Sequence, residues 1–160
     1  MFKKINNILL VFLLFIISAS LIVAFIIQYK LGHQPCKLCI YERIPYILSV
    51  FLIIELILFK KNEKTTLLLL SLIFIISIIL AFYHLGIEQG FFTESLVCES
   101  TNFSETLTKD QLLEQLKKKT ISCKDVSFRV LGLSLTSINV IFSLILSVIF
   151  VRLFLNYGKN

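Results

Sequence analysis

The segment Pro35-Cys36-Lys37-Leu38-Cys39-Ile40-Tyr41-Glu42-Arg43 lies between an apolar run ending at Tyr29 and another continuing to Phe59. Its reading decides the fold. Pro45 follows closely, and proline favours the first turn of a helix and disfavours helix in the residue before it. A helix begun at Pro45 and ended at Phe59 is too short to cross roughly 30 Å of hydrocarbon at about 1.5 Å per residue. The second apolar run must therefore open as helix near Leu38 and kink at Pro45. That places a Cys-x-x-Cys pair at the edge of a membrane.

Working outward, four runs are nearly free of charge, at about 8–29, 38–59, 66–84 and 130–152. Each approaches or reaches the roughly 20 residues a membrane helix needs. The chain of 160 residues is 57% hydrophobic and 16% charged, against about 45–50% and about 25% in soluble domains. Its mean hydropathy is +0.89. The runs are continuous and do not alternate, which excludes a membrane β-barrel. The expected class is an all-α membrane protein, a four-transmembrane-helix bundle. It forms one domain over 1–160, with outer loops at about 30–37 and 85–129. Lys3, Lys4 and Ser18-Ala19-Ser20 mimic a signal peptide, but Leu21 to Ile27 carries the apolar run past that site, so an uncleaved first helix is expected.

Basic residues near helix ends set orientation. Lys3, Lys4, Lys60, Lys61, Lys64, Arg152 and Lys159 fall on one side, opposed by Glu63. Both termini and the 60–65 turn are thus expected in the cytoplasm. The net charge of +6 is carried almost wholly by that face, so it reports topology and calls for no nucleic-acid partner. Tyr29, Tyr41, Tyr46, Tyr83 and Tyr157 sit at or near predicted helix ends, as in an interfacial aromatic belt.

All four cysteines fall on the opposite, non-cytoplasmic side: Cys36 and Cys39 in the first outer loop, Cys98 and Cys123 in the second. Disulfides persist in such compartments. Three readings compete. Structural staples are disfavoured for the Cys-x-x-Cys pair because so small a ring removes little loop entropy. A zinc site could combine His33, Cys36 and Cys39 with His84, but oxidising surroundings work against thiolate ligands, and no metal is expected. Redox exchange fits both motif and compartment. Haem attachment is excluded by Ile40, where histidine would be needed.

On a helix begun near Leu38, Cys39 and Arg43 share a face as i and i+4. The guanidinium is expected to favour a Cys39 thiolate, and a charge at that depth marks function. In the second outer loop, Thr108-Lys109-Asp110-Gln111 reads as a capping box. Leu112, Leu113 and Leu116 follow at helical spacing, then Lys117-Lys118-Lys119. A short amphipathic surface helix is expected there. A Cys98–Cys123 bond would bridge that segment.

These residues resemble the DsbB family, membrane proteins that reoxidise a periplasmic thioredoxin-fold disulfide donor and pass electrons to quinone. The resemblance rests on Pro-Cys-x-x-Cys-Ile-Tyr-Glu-Arg at 35–43, four spans and the second cysteine pair. It extends to Phe128-Arg129-Val130-Leu131-Gly132-Leu133-Ser134 after Cys123, with Phe128 where the family usually has tryptophan. It implies a quinone, ubiquinone or menaquinone, bound near Cys39 and Arg43, with His84 close to a histidine often found before the third cysteine. It also implies a DsbA-like partner, location in the bacterial inner membrane, and electron flow from partner to Cys98–Cys123, to Cys36–Cys39, to quinone. Two rival readings are a vitamin K epoxide reductase-like bundle, whose quinone-proximal Cys-x-x-Cys lies late in the bundle, and a non-enzymatic scaffold with bracing disulfides. No glycine-rich phosphate loop is present, so no dinucleotide site is expected.

Overall fold

Helix α1 spans Asn7–Tyr29. The structure, a computed structural model, describes residues 7–60, 62–93, 98, 122–124, 129–130 and 132–157. The expected amphipathic helix at 108–119 and Phe128 lie outside the described residues. Lys30 and Leu31 close the end of α1 by donating to the carbonyl of Ile26. Gly32 then turns the chain at φ +72°, a conformation open to glycine because it lacks Cβ.

Helix α2 spans Lys37–Tyr41 and α3 spans Arg43–Phe59. The break between them falls at Glu42, a turn before the kink expected at Pro45. A proline ring clashes with the carbonyl four residues back and offers it no N–H, so the ladder fails in the turn preceding Pro45. Glu42 keeps helical torsions (φ −63°, ψ −19°) and donates to Leu38, so α2 runs almost directly into α3. Lys60 and Asn62, both at positive φ, reverse the chain into α4, Glu63–Glu88. This helix outruns its expected 66–84 range at both ends. It stops in a Schellman turn: Gly90 (φ +79°) donates to Ile87, and Phe91 to Gly86.

The last helix, α5, spans Leu135–Asn156 and begins later than the expected 130. Arg129–Val130 (β1) and Leu133–Ser134 (β2) instead form a small antiparallel hairpin turning at Gly132 (φ +84°), the one departure from an all-α chain among the described residues. Ser134 then caps α5 by accepting from the Ser137 N–H. The apolar run hides this boundary because Val130 and Leu133 suit strand and helix equally.

Among the described residues, α1, α4 and α5 are long and apolar enough to cross a membrane. At 17 residues, α3 alone is shorter. Helix α1 packs mainly on α3, α3 on α4, and α4 on α5. The core joins Leu10, Leu13 and Ile17 of α1 with Ile53 and Leu56 of α3, Leu67, Leu70 and Phe74 of α4, and Leu146 and Phe150 of α5. Phe74 and Phe150 stack with centroids 5.3 Å apart. Phe15, Phe51, Ile79 and Phe82 point outward and are exposed. Apolar side chains on inner and outer faces alike suit helices solvated by lipid.

Tyr46 departs from the expected aromatic belt. It is buried in the core, its ring edge-on to Phe74 and its hydroxyl bonded to α5. Tyr29 and Tyr41 remain exposed.

Candidate functional site

Cys36 caps α2. Its sulfur accepts from the Cys39 N–H at 3.2 Å, and the two sulfurs share a hydrogen bond at 2.8 Å. Both are free thiols, with Cys36 buried and Cys39 partly exposed. His84, in the last turns of α4, sets Nε2 at 3.5 Å from the Cys36 sulfur. Its Nδ1 lies 2.8 Å from Glu42 Oε1. The hydrogen bond to Cys39 outweighs burial, and His84 adds to it, so the Cys36 thiol is pulled down to about 5. The sequence led to the expectation of a Cys39 thiolate favoured by Arg43; the geometry instead favours the thiolate at Cys36. Arg43 donates to Gln28 Oε1 at 2.5 Å and lies 5.0 Å above the Phe25 ring.

Cys98 and Cys123 are joined by a disulfide, Cα to Cα 5.4 Å. Both are buried, and they pack in one cluster with Cys36, Leu38 and Ile87, with Cys39 and Tyr83 at its margin. Next to this cluster is a cavity of about 350 Å3, within the range of small-molecule sites. Its apolar wall comes from α1 and α5, including Leu21, Ala24, Ile27, Ile138 and Phe142. Its polar end carries Cys39, Glu42, Arg43, Gln28, His33 and Asn139. The thiol pair thus has two faces: Cys36 packs with the disulfide, and Cys39 lines the cavity.

Cys36, Cys39 and His84 bring their ligand atoms within 4.8 Å of one another. His33, the additional ligand of the zinc reading, lines the cavity and is not part of this group. Two thiolates on one tetrahedral zinc ion stand about 3.8 Å apart, given Zn–S bonds of about 2.3 Å. The two sulfurs lie closer than that, at 2.8 Å.

Sequence reasoning passed over Glu42, Asn139, Tyr46 and Gln28. Asn139 donates to Glu42 Oε2 at 2.8 Å and accepts from the Tyr46 hydroxyl at 2.5 Å. The rule that flagged Arg43 as a charge at membrane depth applies equally to Glu42 beside it, and an asparagine inside an apolar run is a similar signal.

Apolar helices around a dithiol, with a second, bonded pair packed against it, define a membrane thiol oxidoreductase. The family model described as "Disulfide bond formation protein DsbB" matches residues 6–153, and the chain belongs to that family. An uncharacterized protein of Rickettsia prowazekii (strain Madrid E), RP370, is 30% identical over 161 residues, spanning 99% of this chain and 91% of the relative.

Proposed function

We propose that this chain reoxidises a thioredoxin-fold dithiol protein on the outer face of the bacterial inner membrane and delivers the electrons to a membrane quinone. The observation that carries this reading is the two-sided setting of the inner thiols, with Cys36 against the Cys98–Cys123 bond and Cys39 on the cavity. In this reading α2 and α3 together make the fourth crossing. Both termini and the α3–α4 turn face the cytoplasm, as the lysine distribution argues. Single-cysteine variants at Asn62 and Asn102 should then be labelled from opposite sides.

The partner's thiolate attacks Cys98, breaking the Cys98–Cys123 bond and releasing Cys123 as a thiolate. The partner's second thiol then resolves the mixed disulfide, leaving the partner oxidised and Cys98 and Cys123 reduced. Cys123 attacks Cys36 of an oxidised Cys36–Cys39 pair and releases Cys39. Cys98 attacks Cys123, which restores the outer bond and leaves Cys36 reduced. The inner pair now holds two electrons. Outer pair bonded and inner pair as thiols is the arrangement in this structure.

The cavity fits a quinone: an apolar slot for ring and tail ends in Arg43, Gln28 and His33, donors suited to carbonyl oxygens. When bound, a quinone takes up two electrons and two protons. Cys36 and Cys39 supply the two electrons on closing to a disulfide; Cys39 gives up one proton, and because Cys36 is already a thiolate the second proton comes from the neighbouring His84 or from solvent. Cys39 presents the sulfur nearest the cavity, and Arg43 would stabilise charge developing on an oxygen there. The apolar walls from α1 and α5 keep water from this exchange. The test is purified protein with a reduced thioredoxin-fold donor and a soluble quinone, followed by quinone absorbance. Absorbance should fall in step with donor oxidation; donor oxidation that stops at one equivalent without quinone reduction overturns the reading.

A further inference from the structure

Below the thiols, buried polar side chains run in a line through α3, α4 and α5. Ser77 and Ser143 are wholly buried, and Tyr46 is 5% exposed. Ser77 meets Ser143 at 3.0 Å, Ser143 meets Tyr46 at 2.8 Å, Tyr46 meets Asn139, and Asn139 meets Glu42. The direction of every hydrogen follows from one end. The Glu42 carboxylate accepts, so Asn139 must turn its NH2 toward it and its oxygen toward Tyr46. Tyr46 gives its one proton to that oxygen. Its contact with Ser143 must then be donated by Ser143, and that with Ser143 by Ser77 in turn. All donors point toward Glu42. Its other oxygen takes the Nδ1–H of His84, which leaves Nε2 to face Cys36.

An asparagine amide does not hand on protons as hydroxyls do, so this string holds groups in place and does not conduct. We propose that Asn139 and Tyr46 are positioning residues: they lock the Glu42 carboxylate and, through it, the His84 ring in the orientation that presents Nε2 to Cys36. Nothing in the Cys-x-x-Cys motif itself assigns a role to either residue. The inference rests on the reading of Cys36 as a redox thiol. It also accounts for Tyr46 sitting in the core, away from the interface, with a hydroxyl that would otherwise be stranded at membrane depth.

Among the described residues, the titratable groups acting on Cys36 are Cys39 from α2 and His84 from α4. Around the His84 ring they are Glu42 and Cys36. Arg43 is turned to Gln28 and Phe25, and His33 stands on the cavity wall.

The experiment is the pH dependence of Cys36 alkylation in the full-length protein in detergent, with Cys36 and Cys39 as thiols and the Cys98–Cys123 bond intact, mapped by mass spectrometry and run without quinone or donor. Asn139→Leu should raise the midpoint, so that alkylation at pH values below it slows about tenfold. Tyr46→Phe, which removes one hydroxyl, should shift it the same way by less. In a His84→Ala background neither change should move the profile further, because the group they position is gone. Retention of the Cys98–Cys123 bond reports folding. An unchanged profile in folded Asn139→Leu, or an equal shift with and without His84, overturns the proposal. Should Asn139→Leu fail to fold, an unchanged Tyr46→Phe profile overturns it alone. Loss of quinone reduction with these alkylation results intact would count against the proposed function and not against the positioning role.

Discussion

Cys36 and Cys39 are held by hydrogen bonds that reach α3, α4 and α5, whereas Cys98 and Cys123 are held by their own covalent bond and by packing on Leu38 and Ile87. The inner grip adds bonds away from the sulfurs, His84 to Glu42 and Asn139 to Glu42. The outer grip includes the very bond that exchange must break. That bond closes a separation of 25 residues, for which chain entropy contributes roughly 3 kcal/mol. In the proposed relay, opening it would free the outer pair to travel while the bonds around Glu42 hold the inner pair beside its cavity.

The largest effect that could break this contrast comes from the sulfurs. Cys39→Ser should abolish quinone reduction while the preformed Cys98–Cys123 bond still oxidises one equivalent of donor, read by alkylating the donor thiols after a single mixing. Loss of both would mean the pairs are not separate stations. A reduced donor whose second, resolving cysteine is replaced by serine should accumulate a mixed disulfide with Cys98 as Cys123 is released, and an adduct on Cys36 or Cys39 would reverse the order of the stations.

Next comes Arg43→Ala, which removes a charged donor from the cavity and leaves the outer pair untouched. Removing such a hydrogen bond is worth about 1.5–3 kcal/mol, so the quinone KM should rise about tenfold to a hundredfold. Donor oxidation in a single turnover should be unchanged. If that step slows instead, Arg43 supports the fold and not the acceptor.

A smaller effect sharpens the inner half. The Cys36 thiol is drawn down to about 5, so its thiolate is populated at pH values above that point. Alkylation of Cys36 should stay fast at neutral pH and decline as pH falls through about 5. A thiol of ordinary acidity would already have slowed well above neutrality. A decline centred near 8 or 9 would remove the poised thiolate from the account.

The smallest effect concerns the segment leading to the outer pair. A Cβ on Gly86 would run into the Phe92 ring. Gly86→Ala should push the ring off Tyr83, on which it stacks at 5.7 Å, at a cost of roughly 1 kcal/mol. Capture of donor at Cys98 should change by a few-fold at most, with the inner alkylation profile unaltered. A change in that inner profile would show that the two grips are coupled.

The apolar runs made α1, α4 and α5 legible because continuous hydrophobicity is a membrane signal independent of packing. Their ends were less so. Helix α4 runs past 84 because Ile87 buries against the cysteine cluster, a tertiary reason invisible in hydropathy. The start of α5 was hidden because Gly132 and Ser134 make a hairpin and a cap inside what reads as one apolar stretch. At the site, the four cysteines and Arg43 were legible from spacing. Glu42, Asn139 and Tyr46 were not, since their value lies in one another: residues 97 and 93 positions apart meet only once three helices have packed.

The cavity lies between α1 and α5, helices whose main packing partners are α3 and α4 and not each other. Under the proposed function, the acceptor would enter this cavity sideways, from the lipid. A molecule arriving there diffuses in a plane, so its supply is a surface density. Turnover in bilayers should then follow the mole fraction of quinone among the lipids and be indifferent to how much water surrounds the vesicle. Diluting the membrane with plain lipid at constant total quinone should slow the protein; diluting the suspension with buffer should not.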